Sequence, residues 1–163
     1  MRYILSTIAL ILMLSSCNKK QDQIVISKNF TNEEWGRFEY LNGEIAINNT
    51  PAKYDIFMEV ELNEIFPSAY ENHRSDCSLK FNMTIKNPDG NGARSRDYNY
   101  NFKDKEGNWK ASKKDGYYTF RLPIINEMTL GEEGVYQFKI ENKYPKDPLQ
   151  GIKSLTIKCV TSK

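Results

Sequence analysis

The chain has 163 residues, with 23 Lys and Arg against 21 Asp and Glu. That near-neutral balance leaves no electrostatic footprint for nucleic acid, and one histidine with no Cys-x-x-Cys pair argues against a zinc site. The length suits one domain with a sizeable core, and ten Tyr, eight Phe and two Trp favour strands.

In chain order, Met1-Arg2-Tyr3 carries one positive charge and precedes an apolar run over residues 4–14, interrupted only by Ser6, Thr7 and Ala9. The run has the length of a signal-peptide core. It is too short for a membrane span, which needs roughly 20 apolar residues. Leu14-Ser15-Ser16-Cys17 closes the run and resembles a bacterial lipobox. The resemblance implies removal of residues 1–16 and attachment of lipid, palmitate included, to Cys17. One acyl chain, at about 0.8 kcal/mol per buried methylene, anchors only marginally, whereas two or three hold stably. The mature chain would carry 22 basic and 21 acidic residues. Asn18-Lys19-Lys20-Gln21-Asp22-Gln23 is polar throughout and reads as a tether over residues 17–23. A single domain is expected over residues 24–163. Asn18, rather than aspartate, after Cys17 points to outer-membrane delivery by the sorting rule of many bacteria.

Beyond the tether, apolar residues recur at every second position. Weak candidates at 24–27, 37–40 and 45–47 come first. Clear alternation follows at Tyr54, Ile56, Met58, Val60 and Leu62, then at Cys77, Leu79, Phe81, Met83 and Ile85. Tyr98, Tyr100 and Phe102 continue the pattern, as do Tyr118, Phe120 and Leu122, then Tyr136, Phe138 and Ile140, and last Leu155, Ile157 and Cys159. Period two marks strands with one wet and one dry face. Turn signals separate them: Asn87-Pro88-Asp89-Gly90, Lys105-Glu106-Gly107-Asn108, Lys114-Asp115-Gly116, Glu132-Glu133-Gly134 and Tyr144-Pro145-Lys146-Asp147-Pro148. About eight strands without intervening helices predict an all-β fold, an antiparallel two-sheet sandwich of jelly-roll type. Short helical turns are expected near 32–35 and 67–70.

Cys77 and Cys159 share the parity of core residues on their strands, so both face inward. An exported protein permits a disulfide, worth roughly 3–5 kcal/mol for so long a loop. Two buried free thiols fit the same pattern.

Little suggests catalysis. His73, in Tyr70-Glu71-Asn72-His73-Arg74, has no obvious partner for general-base work. Nucleophile-elbow, zincin and phosphate-loop patterns are absent from the sequence. Glu33-Glu34 and Glu132-Glu133 are adjacent pairs whose side chains diverge, unlike the facing carboxylates of a glycosidase. Gly90 and Gly92 precede no helix and read as a hairpin loop. Asp89, Asp104 and Glu106 offer oxygen ligands for calcium, but their spacing does not fit an EF-hand loop. No cofactor or metal is expected. Lys110, Lys113 and Lys114 form a short basic stretch that reads as a solvated loop. Trp35 and Trp109 lie at loop edges. Each is read as a partner anchor or a sugar platform, or as a lid on one end of the core. A sugar platform would bring Trp109 coplanar with Tyr98 or Tyr117.

The order of these pieces resembles the gliding-motility lipoprotein family GldH of the Bacteroidetes. The matching elements are Cys17, Asn32-Glu33-Glu34-Trp35, Tyr54-Asp55-Ile56, Pro67-Ser68-Ala69-Tyr70-Glu71-Asn72, Asn87-Pro88-Asp89-Gly90, Asp104-Lys105-Glu106-Gly107-Asn108-Trp109, Gly134-Val135-Tyr136-Gln137-Phe138 and Leu149-Gln150-Gly151-Ile152. The chain departs from the family pattern around Pro67 and at Lys110-Ala111. The resemblance implies an envelope lipoprotein without enzymatic activity, linked to a gliding and secretion assembly. Its expected partners are the membrane, through Cys17, and envelope proteins. A glycan-binding sandwich is the alternative.

Overall fold

Alternate-residue burial builds the structure. The computed structural model describes residues 23–66 and 77–162. The signal segment, Cys17, the tether before Gln23, the expected turn at 67–70 and His73 lie outside the described residues.

Eleven strands form among the described residues. They are β1 (Gln23–Asn29), β2 (Glu34–Trp35), β3 (Leu41–Ile47), β4 (Ala52–Leu62), β5 (Ser78–Lys86), β6 (Ala93–Asn101), β7 (Lys113–Lys114), β8 (Tyr117–Leu130), β9 (Gly134–Asn142), β10 (Leu149–Gln150) and β11 (Ile152–Thr161). A 3-10 turn, Thr31–Glu33, precedes β2. One sheet has the order β1-β11-β4-β8-β7, the other β3-β9-β5-β6, and β2 pairs with β10 alone. All the pairings are antiparallel. Counting only the eight strands of seven or more residues, the two sheets run 1-8-3-6 and 2-7-4-5, the nested order of a jelly roll. The expected sandwich is therefore the observed one.

The alternating runs supply the core. Tyr54, Ile56, Met58, Val60 and Leu62 of β4 and Leu79, Phe81, Met83 and Ile85 of β5 are all buried. They join Tyr136, Phe138 and Ile140 of β9 and Leu155, Ile157 and Cys159 of β11 in one cluster. Three regions differ from the sequence reading. Residues 37–40 are a loop, not a strand. β8 continues to Leu130, because two register shifts against β4 break its parity after Leu122. Glu127 takes up the second irregularity with φ 51°, and its N–H donates to the Asp55 carboxylate (2.9 Å). Lys113 and Lys114, read as loop, pair with Tyr118 and Tyr117 around Asp115-Gly116. Both turn residues have positive φ (49° and 89°), as a two-residue type I′ hairpin demands.

The topology makes the two ends of the sandwich unlike. Gln23 pairs with Cys159 beside the start of β4. At that end the connections are the short turns 48–51, 87–92 and 131–133. β1, β4, β6 and β9 finish at the opposite end, where the longer connections begin. One long side of the sandwich is closed by contact of β3 with β1. Gly43 makes this possible: a Cβ there would lie 2.0 Å from the Val25 carbonyl oxygen and 2.6 Å from Ile26. A backbone atom cannot swing aside as a side chain does. Gly43→Ala is therefore expected to cost about 3 kcal/mol, the upper part of the overpacking range. A lowered urea midpoint at unchanged slope would show it; an unchanged midpoint would contradict the close approach.

Candidate interaction surface at the loop-rich end

Trp35 anchors this end. Its side chain is 0% exposed, packed against Phe30 with ring centroids 5.4 Å apart. The indole N–H donates to the Glu39 carbonyl (2.8 Å), and the buried Asn142 amide donates to the Trp35 carbonyl (3.0 Å). Asn142 in turn accepts from the Tyr144 N–H (2.8 Å). A ring so enclosed cannot touch a partner or a sugar, so Trp35 is a core residue and not a surface anchor.

What Trp35 does is shape the loop after it. Glu39 N–H donates to the Gly36 carbonyl (3.1 Å), and Glu39 pairs with Lys28 (2.5 Å). Arg37 is tied to the β9–β10 connection: its backbone N–H donates to the Asp147 carboxylate (2.8 Å), and its guanidinium donates to the carbonyls of Tyr144 (3.2 Å) and Pro145. With the backbone committed to these partners, the aromatic side chains turn outward. Phe38 is 76% exposed and Tyr40 48%. They border a cleft of about 400 Å³ whose other walls include Arg37, Glu141, Lys143 and Tyr144. The Lys139 ammonium sits over the Tyr40 ring at 5.2 Å. Lys139 and Lys143 hydrogen-bond to Glu141 and hold its carboxyl below the usual range. The two ammonium groups neutralise the Glu141 carboxylate at the cleft wall.

The same end contains a second tie. Glu33, at φ 58°, accepts from the Tyr117 hydroxyl and the Asn63 amide, and its carbonyl accepts from Gly151 N–H (2.9 Å). Lys153 lies over the Tyr117 ring at 4.1 Å. These contacts bind the 3-10 turn to β8 and to the residues that follow β4 and precede β11.

Trp109 is half-buried. It stacks on Tyr118 with centroids 4.1 Å apart and planes at 12°, while the Lys103 ammonium stands over the ring at 4.8 Å. Neither Tyr98 nor Tyr117 joins it; Tyr98 stacks with Phe81 and Tyr100. Asp104 caps its own turn by accepting from Asn108 N–H (2.8 Å), and Asp89 does so for Asn91 (2.9 Å). Those two carboxylates lie beyond opposite ends of β6, whose nine residues span about 30 Å at strand rise. They cannot share a calcium ion.

Cys77 and Cys159 are both buried and both free. Their inward parity is as read, but parity does not set position along a strand. Cys159 lies opposite Ile56. Cys77 lies beyond Leu62, where its thiol approaches the Phe66 carbonyl (4.0 Å). Six residue steps along β4, about 20 Å, separate those levels, and a disulfide needs Cα atoms within about 7 Å. Burial pushes the thiols up to about 11 for Cys77 and about 12 for Cys159.

Phe38 and Tyr40 were not singled out from sequence. Their alternation with Arg37 and Glu39 is locally indistinguishable from a strand, and the partners that make a loop of them are more than a hundred residues away.

A family model described as GldH lipoprotein matches residues 25–159, from β1 through β11. No curated protein matches the chain.

Two outcomes are expected. Phe38→Ser should leave stability within about 0.5 kcal/mol, whereas Trp35→Ala should cost about 3–5 kcal/mol, read by denaturant titration. Similar losses for both would mean that Phe38 belongs to the core. In the folded protein at neutral pH, Cys77 and Cys159 should resist a thiol-specific disulfide reagent, since little thiolate forms and neither is exposed; both should react on unfolding without reductant. A chain yielding no thiols under those conditions would contradict the free-thiol geometry.

Proposed function

We propose, since the chain belongs to the GldH lipoprotein family, that it is a non-enzymatic accessory protein of the bacterial envelope, held by lipid on Cys17 to the outer membrane and docking a protein of a gliding and secretion assembly. The observation that carries this reading is the Phe38–Tyr40 loop, held outward at the end of the sandwich opposite the point where the tether joins. Five residues lie between Cys17 and Gln23, and the six residue steps, fully extended, reach at most about 20 Å. The end bearing Gln23 therefore stays near the bilayer, and the loop-rich end faces away from it.

An exposed phenylalanine beside a cleft is a candidate hot spot, because aromatic anchors supply much of the energy of many interfaces. Phe38 adds to this a rigid backbone: Trp35, Arg37 and Glu39 have already fixed the loop, so less ordering entropy is lost on docking. Confinement of both partners to one membrane raises their effective concentration, so a modest interface suffices. A glycan reading would want flat paired rings open to solvent. The stacking of Trp109 on Tyr118 beneath Lys103 favours the protein-binding reading instead.

The test uses the tagged protein in its native host with a palmitate analogue. Wild type should take the label and co-purify a defined envelope protein after crosslinking. Cys17→Ala should lose both label and membrane attachment. Phe38→Ser combined with Tyr40→Ser should keep the label and the fold but lose most of the captured partner, by about tenfold or more for a hot-spot pair. Undiminished capture by that double variant would remove the loop from the interface, and absence of label from wild type would remove the anchor.

A further inference from the structure

The outermost strands of the two sheets are not treated alike. β1 carries a register shift and lies against β3, with the Val25 carbonyl at the position a Cβ of Gly43 would take. β8, beyond the two residues that pair with β7, carries Pro123, two register shifts and the left-handed Glu127. Devices of this kind blunt a sheet edge against unwanted pairing. β6 has none of them. Its nine residues pair with β5 in unbroken register, contain no proline or glycine, and all have negative φ. Among the described residues nothing pairs with its outer edge.

The hydrogen-bond phase identifies which groups are free there. Phe102 N–H donates to the Cys77 carbonyl (2.9 Å) and Asn87 N–H to the Gly92 carbonyl (2.8 Å). Both bonds belong to the β5–β6 register, so the even residues of β6 bond to β5 and the odd ones turn outward. The Asn101 carbonyl takes the Lys110 ammonium (3.1 Å). Ser95, Asp97 and Asn99 are left presenting N–H and C=O to solvent.

The even side chains form a graded row. Arg94 lies opposite Ile85, Arg96 opposite Met83, Tyr98 opposite Phe81 and Tyr100 opposite Leu79. Among the described residues no carboxylate pairs with either guanidinium. Arg96 rests over the Tyr98 ring at 5.6 Å. Tyr98 and Tyr100 lie parallel (6°, centroids 6.4 Å apart), with the Tyr100 hydroxyl bonded to the Pro123 carbonyl (2.5 Å). The odd side chains are largely satisfied within the sheet, Asp97 by Asn82 (2.7 Å) and Ser95 by Thr84 (3.0 Å).

We propose that β6 is a docking edge for an extended acidic segment of a partner protein, added as an antiparallel fifth strand to the β3-β9-β5-β6 sheet. Main-chain bonds to Ser95, Asp97 and Asn99 hold the segment, and side chains select it, as in strand addition generally. Read from its N-terminus, the segment is apolar-x-apolar-x-acidic-x-acidic. Its apolar residues meet Tyr100 and Tyr98, and its carboxylates meet Arg96 and Arg94. Two guanidiniums on the inward face repel a basic strand and disfavour a neutral one. A second copy of β6 answers them poorly, because its own even positions carry no carboxylate. The site is separate from the Phe38 loop and stands whether or not that loop docks a protein.

The test uses the lipidated full chain in detergent and a nine-residue blocked peptide in which threonine alternates with valine, valine, glutamate and glutamate. The peptide should slow amide exchange at Ser95, Asp97 and Asn99. A peptide with lysine in place of glutamate should bind at least about tenfold more weakly. Asn99→Pro removes one outward N–H without touching the β5 ladder; it should weaken binding by about tenfold or more while the melting temperature holds. Arg94→Glu with Arg96→Glu should reverse the preference between the two peptides, and Phe38→Ser should leave binding unchanged. Equal binding by Asn99→Pro would reduce the effect to loose charge attraction and overturn the proposal. So would protection of β6 that grows with protein concentration in the absence of peptide, which would assign the edge to a second copy, or absence of protection at millimolar peptide.

Discussion

Two sheets must bury one face each, and every other feature of this molecule follows from how that burial is completed at the margins. Within the sheets the solution is regular: β4, β5, β9 and β11 turn every second residue inward and fill the core from both sides. At one long side Gly43 lets β3 come down onto β1. At the loop-rich end no strand is available, and Trp35 closes the core instead, fully enclosed and hydrogen-bonded through its indole and its carbonyl. That closure dictates the shape of the next five residues. An outward Phe38 is the by-product of an inward Trp35.

The regular part of this arrangement was legible in the sequence. Alternation alone located the runs from Tyr54 to Leu62 and from Leu79 to Ile85, because the extra residues at the irregular pairings of β4 fall on β8 and β11 and leave its own period of two intact, while β5 pairs without a shift. It failed where the backbone departs from period two. In β8 two register shifts near Ile125 move the buried residues off a single parity, so the period-two signal stops at Leu122. In residues 37–40 the alternation is real, but the deciding contacts come from Tyr144, Pro145 and Asp147, far along the chain. Cys77 and Cys159 show a third limit. Parity tells which face a side chain takes and says nothing of its level along the strand, so two inward thiols looked bridgeable and stand well apart.

Family membership and the fold divide the labour of explanation. The family points to lipid attachment and the envelope; the topology adds a direction. Short turns gather where the tether joins, and the elaborated connections gather at the far end. The proposed docking loop would there be clear of the bilayer. The β6 edge lies along the side of the sandwich, away from that end.

The strand order has one more consequence, for biogenesis. β11, the last strand in the chain, lies between β1 and β4 in the interior of its sheet. Among the described strands β1 therefore has no strand to pair with until β11 has been made, although it packs against β3. Pairing across so long a sequence separation is slow, and it leaves the edges of β1 and β4 open to aggregation until β11 arrives.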